Sequence, residues 1–229
     1  MINELAPQGI ASIVKTLETF MVVYPDHVVH ILSIFQQMYV SEPLASETGS
    51  IIQNLYLCLF ARLAVSHTRE FVSLIVANEA RFFEKLALKL WIDKFDGLAN
   101  PRWRKSIAMA FACLLATPEL SGSLYPYLST IFGVIWIESL TNPRIKGPIS
   151  SYNNHENEDV YQDDQGTCDC IRRQKVASND PINQSDLQVF LGSVMQKLWL
   201  DHGFRQAFGA VEVELADKIQ FLLSPSGPK

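Results

Sequence analysis

The chain has 229 residues, 48% hydrophobic and 19% charged, with a formal net charge of −5. That balance belongs to a folded chain rather than a disordered one. It argues against a nucleic-acid partner, which calls for a basic face, and it is compatible with basic protein partners.

The elements in chain order are helical almost throughout. Ile10, Ile13, Val14, Leu17 and Phe20 share one helical face after a Pro7–Gly9 break. Pro25 interrupts, with Asp26 placed to cap the next helix, which Val28, Ile31, Leu32, Phe35 and Met38 stripe until Pro43 ends it. From Glu47 onward Ile51, Leu55, Leu59 and Leu63 repeat four apart, and Thr68 can cap a short helix carrying Phe71, Leu74 and Ile75. Phe82, Phe83, Leu86 and Leu90 stripe a helix to about Phe95, followed by a turn at Asp96–Asn100. Pro101 fits a first helical position, and Ile107, Phe111, Leu114 and Leu115 give the buried face behind it. Pro118 stops that helix, and Ser123 to about Leu140 forms a further, very apolar one.

The pattern then breaks from Asn142 to Asn183. The acidic residues Glu156, Glu158, Asp159, Asp163 and Asp164 gather there, and almost no apolar stripe exists. A connection of this length inside a compact array implies function or disorder. Helicity resumes with Ser185 as the expected cap. Leu187, Phe190, Leu191, Val194 and Leu198 stripe one helix; Phe204, Phe208, Val211, Leu215, Ile219 and Leu222 stripe the last. Each helix is too short to be stable alone, and each carries an apolar stripe, so stacked antiparallel pairs are the solution. The expectation is an all-α HEAT/armadillo-like helical-repeat solenoid with one long acidic disordered insert. Residues 1–140 would hold the repeats, 141–183 the flexible insert, 184–223 two closing helices and 224–229 a disordered tail.

Little in the chain suggests chemistry. Cys58 and Cys113 lie in apolar helical patterns and read as buried thiols. His155, Cys168 and Cys170 are the only metal-like grouping, and Cys-x-Cys with one distant His lacks the paired spacing of a zinc site. His27 and His30 can share a face, without a third ligand placed by sequence. No nucleophile elbow, phosphate loop or dinucleotide fingerprint occurs. Paired carboxylates occur only in the insert, and a mobile segment cannot hold them at a catalytic separation. The reading is therefore not an enzyme, with no cofactor and no metal. The apolar runs Leu55–Val65 and Ile131–Ile137 are broken by Arg62 and ended by Glu138, short of the ~18 residues a membrane span needs. A soluble intracellular protein without membrane insertion is expected.

The segment FFEKLALKLWIDKFDGLANPRWRKSIAMAFACLLATPEL resembles a HEAT-type repeat of the karyopherin-β nuclear transport receptors. DPINQSDLQVFLGSVMQKLWLDHGFRQAFGAVEVELADKIQFLL and the insert sequence ENEDVYQDDQG are similar to the C-terminal end of its importin-eleven branch. The resemblance implies the C-terminal part of a receptor that binds protein cargo, meets nuclear pore proteins and shuttles between nucleus and cytoplasm. Ran GTPase would be engaged by N-terminal repeats absent from this chain. The acidic residues Glu156, Glu158, Asp159, Asp163 and Asp164 would attract basic cargo, or else form a solvated linker. Asp93 with Arg104 or Lys105 would match the ladder that satisfies turn backbone and stacks neighbouring repeats. The first helix would expose an apolar face where earlier repeats belong. A generic HEAT-repeat interaction scaffold without a transport role is the competing reading.

Overall fold

A computed structural model describes residues 7–39, 51–77, 84–98, 100–147 and 168–224, and among these every regular element is helical. Helix α1 (Pro7–Val23) buries Ile10, Val14, Leu17 and Met21, the stripe that its periodicity prescribes. A 3₁₀ segment, Pro25–Ile31, leads into α2 (Leu32–Tyr39). Its N-cap position falls on Tyr24 with no side-chain bond, so Asp26 lies inside the first turn rather than capping it.

The centre of the molecule is α3 (Ile51–Ser66). Tyr56, Leu57, Leu59, Phe60, Ala61, Leu63 and Ala64 are all buried, covering every face of the helix. A helix that is apolar all round is one packed on all sides, and α3 sits between α1 and α6 (Pro101–Leu115). α4 (Thr68–Ala77) follows it, and Thr68 lies within the helix with its hydroxyl donating back to Ala64. α5 runs as a π-helical segment Glu84–Trp91 and an α-helical turn Ile92–Phe95. α7 covers Pro118–Thr141 as a chain of α-helical, 3₁₀ and π-helical pieces. α8 (Pro143–Lys146), α9 (Cys168–Asn179), α10 (Pro181–Gln184), α11 (Leu187–Leu198), α12 (His202–Phe208) and α13 (Val213–Leu223) complete the chain.

These helices form two layers. One is the row α1–α3–α6–α11, each packed on the next; in the other, α5 and α13 pack on the π-helical segment Ile131–Ile137 of α7. Two tryptophans join the layers in the same way. Trp91 Nε1 donates to the Leu57 carbonyl at 3.0 Å, and Trp136 Nε1 donates to the Ala108 carbonyl at 3.2 Å. Both indoles are fully buried, so each needs a partner for its N–H, and a carbonyl of the opposite layer supplies it.

Three expectations change. α7 begins at Pro118 rather than Ser123, and the whole stretch to Thr141 is long and apolar enough to cross a membrane by length and composition. Here it is a core helix: Ile131, Phe132, Ile135 and Trp136 are fully buried against the other helices. Ile10, Val14 and Leu17 of the α1 stripe are covered and Ile13 and Phe20 are half-buried, and the exposed apolar residues of this part of the chain are Val23, Tyr24 and Val29 at the far end of α1 and in the segment beyond. Helices α8 and α9 lie within residues 141–183, which periodicity assigns to a structureless insert, and α10 begins there and ends at Gln184. All three are short or polar, so no apolar stripe announces them.

Candidate functional site: a buried charged seam

Asx-Pro dipeptides open three of these helices. Asn100, Asn142 and Asp180 each precede a proline, and each side-chain oxygen accepts the amide of the residue after that proline, at 2.9, 3.0 and 3.0 Å. Proline has no N–H to satisfy, so the cap reaches the next free donor. At Asp180 the cap does more than start a helix.

Asp180 is fully buried and accepts from three side-chain donors besides the backbone. Arg62 of α3 grips it with two parallel bonds, 2.9 Å to Oδ1 and 2.8 Å to Oδ2. Arg102 of α6 adds a bond of 2.8 Å to Oδ2. Glu18 of α1 stands 3.5 Å from Arg62 Nε, an ion pair at its outer range. Two guanidiniums and two carboxylates thus make a neutral quartet drawn from α1, α3, α6 and the α9–α10 junction. Burial opposes the charge on Asp180, yet the bonds from Arg62 and the charges of Arg62 and Arg102 outweigh it and hold its carboxyl below the usual range. Burial likewise opposes the charge on Arg62, and the Asp180 and Glu18 carboxylates outweigh it.

Lys105 lies one turn along α6, and its side chain is fully buried. Its ammonium donates to the Gly147 carbonyl at 2.9 Å and also to the Ser185 carbonyl. The two acceptors lie directly after α8 and directly after α10. One amine therefore ties both of these points of the chain to α6. Burial pulls the Lys105 pKa from 10.5 down to about 8, against the opposing charges of Asp186 and Asp180.

The residues singled out by sequence are dispersed. Arg104 closes the turn after α5, donating to the carbonyls of Leu98 and Asp96, pairing with Glu138 and lying 5.3 Å over the Phe95 ring. Asp93 is exposed on α5 and is not among these partners, so the structure forms no Asp93–Arg104 ladder. Lys105 faces the seam instead. Its burial requires an internal acceptor, and the nearest are the two carbonyls rather than Asp93. Glu156, Glu158, Asp159, Asp163 and Asp164 lie outside the described residues. So do His155 and the side chains of Cys168 and Cys170. His27 and His30 come within 5.9 Å, ring centre to ring centre, and the described residues contain no group of three or more metal-ligating side chains. Cys58 is buried and Cys113 half-buried, and burial raises both thiols, Cys113 to about 11.

Two layers of short helices joined by buried inter-layer tryptophans are a helical-repeat architecture, in which the single last helix expected from periodicity is divided into α12 and α13. Residues 1–224 match the family described as importin-11-like, TPR repeats. The chain belongs to that family. It is 20% identical over 240 residues to importin-11 of Mus musculus and 22% identical over 245 residues to importin-11 of Homo sapiens. Each match covers 97% of this chain and 24% of the relative, so the chain spans about a quarter of the length of the curated relatives it matches. No solved structure gives a significant match.

The sequence reading missed Asp180, Arg102 and the role of Arg62, which it took as an interruption of an apolar run. A charged residue inside such a run is itself the signal, because a buried guanidinium demands a carboxylate. The third Asx-Pro pair points to where that carboxylate is.

Proposed function

We propose that this chain is a cargo-binding portion of a nuclear transport receptor. The observation that carries the reading is the importin-11-like family membership over residues 1–224. Lys105 ties the Gly147 and Ser185 carbonyls, between which the acidic sequence runs, to α6. A set of carboxylates attracts basic protein ligands and speeds their encounter. Cargo capture would be reversed by Ran-GTP acting through repeats that these residues do not include, and passage would use contacts with nuclear pore proteins. Shuttling between cytoplasm and nucleus follows from that role, and binding rather than catalysis is its whole chemistry.

The test neutralises the insert. Replacing Glu156, Glu158, Asp159, Asp163 and Asp164 with their amides removes five negative charges. At a few tenths of a kcal/mol per exposed pair these sum to about 1.4 kcal/mol, a loss of roughly tenfold in affinity for a basic ligand at low salt. The ligand is a lysine- and arginine-rich import-signal peptide, read by fluorescence anisotropy. Unchanged affinity would remove the insert from the cargo surface. For the receptor role, the longer parent protein should release bound cargo on addition of Ran-GTP. Cargo retention there would favour a scaffold without transport.

A further inference from the structure

We infer that α9–α10, residues Cys168–Gln184, is a belt across three neighbouring helices of the first layer, and that Asp180 is its charged latch. The belt packs on α1 through α9 and on α3 and α6 through α10. Those three helices are consecutive in the row, so one short segment ties the edge of three stacked units. In a repeat array each unit otherwise touches only its neighbours. A bond that spans several units restrains how they flex against one another.

Among the described side chains of α9 none is a fully buried apolar anchor: Ile171 is half exposed, Val176 and Ala177 are half-buried, and Arg172 and Lys175 face solvent. Below it only Ile182 of α10 is a fully buried apolar anchor. The remaining internal bonds, Asn183 to the Ala177 carbonyl and Gln184 to the Ser178 carbonyl, hold α9 to α10 but not to the array. The side-chain connection of the helices themselves to the array runs through the quartet, Asp180 to Arg62 of α3 and to Arg102 of α6, with Glu18 of α1 completing the charge balance, and Lys105 holds the Ser185 carbonyl just beyond α10. Removing one member of such a group strands a buried charge, which is far more damaging than the group is stabilising. The belt is therefore built to be held or released as a unit. Its release would loosen α1 first, since α1 gains from the belt both a packing partner and the ordering of Arg62 against Glu18.

The test is hydrogen–deuterium exchange of the full chain, wild type against Asp180→Asn, resolved by peptide. The amide keeps the shape and the helix cap but removes the charge between the two guanidiniums. Amides of 168–184 should exchange at least ~100-fold faster in the variant, and those of α1 should follow in the same direction. Amides of α11 and α13 should stay within about threefold of wild type. An equal acceleration everywhere would make Asp180 an ordinary core residue and overturn the belt, as would no acceleration in 168–184. Should the variant fail to fold, the wild type alone decides, under increasing but subdenaturing urea. Exchange of 168–184 through an opening of weak urea dependence, distinct from the global one, supports the belt. Exchange only through global unfolding refutes it.

Discussion

Raising the pH from 7 to 9 should stabilise this protein through Lys105. The ammonium is fully buried, and its pKa falls from 10.5 to about 8 on folding. A base with a depressed folded pKa binds fewer protons folded than unfolded throughout the interval between those values. Stability therefore rises with pH there, starting near 8 and ending near 10.5. At pH 7 both states are nearly fully protonated, and keeping the ammonium buried carries its full penalty of about 3 kcal/mol. At pH 9 the folded state is mostly deprotonated, and the penalty has fallen to about 2 kcal/mol. The expected gain is about 1 kcal/mol. The thiols act with the opposite sign. Cys58 and Cys113 have raised folded values, so they lower stability as pH climbs through the thiol range near 9. The measurement is therefore a difference: urea midpoints at both pH values for wild type and for Lys105→Met, which keeps the thiols and loses the titrating amine. Wild type should gain about 1 kcal/mol more than the variant. Equal pH dependence in the two proteins would show that Lys105 does not sit in the low-dielectric seam between Gly147 and Ser185.

Other consequences follow from the same contacts. The lowered carboxyl of Asp180 contributes stability above the ordinary carboxylate range that is lost as pH falls through its folded pKa. Acid titration followed by tryptophan fluorescence should show a step below pH ~4 that Asp180→Asn lacks. Trp136→Phe removes the bond to the Ala108 carbonyl at the layer contact and should cost about 1–3 kcal/mol in urea unfolding, since that buried carbonyl loses a partner. A cost near zero would mean that the bond is not formed. In folded protein Cys58 should resist iodoacetamide at pH 8 while an unfolded control reacts, with labelled peptides identified by mass spectrometry. Rapid labelling would show that α3 is not the enclosed centre of the array.

The helical class and most of the row were legible from the chain because burial imposes a period. Val14, Leu17, Ile107, Phe111, Leu191 and Val194 are spaced for one face each, and each lies buried on that face. Periodicity fails where burial is complete or absent. α3 is buried all round, so its stripe at every fourth residue understates it. α9 buries so little that no stripe exists, and its helix was assigned to a structureless insert. The seam was invisible for another reason. Arg62 and Asp180 are far apart in sequence, and nothing local in the chain pairs them.

One local clue to the seam did exist. Asn-Pro-Arg occurs twice, at Asn100 and at Asn142, at the spacing of ~40–47 residues that a HEAT-type unit repeats. Asp180-Pro181 is the third Asx-Pro start, with the arginine gone and the amide replaced by a carboxylate. An asparagine would cap the helix equally well, so capping does not require the charge. What requires it is Arg62, a guanidinium on the most deeply buried helix of the molecule, with Arg102 beside it. The substitution of carboxylate for amide at that one start turns a repeat-capping turn into the fastening of the belt. The same logic gives Arg102 its second partner, since the Asn-Pro-Arg start of α6 aims its arginine at the third Asx-Pro start. The charged seam thus grows out of the same Asx-Pro helix start that opens α6 and α8.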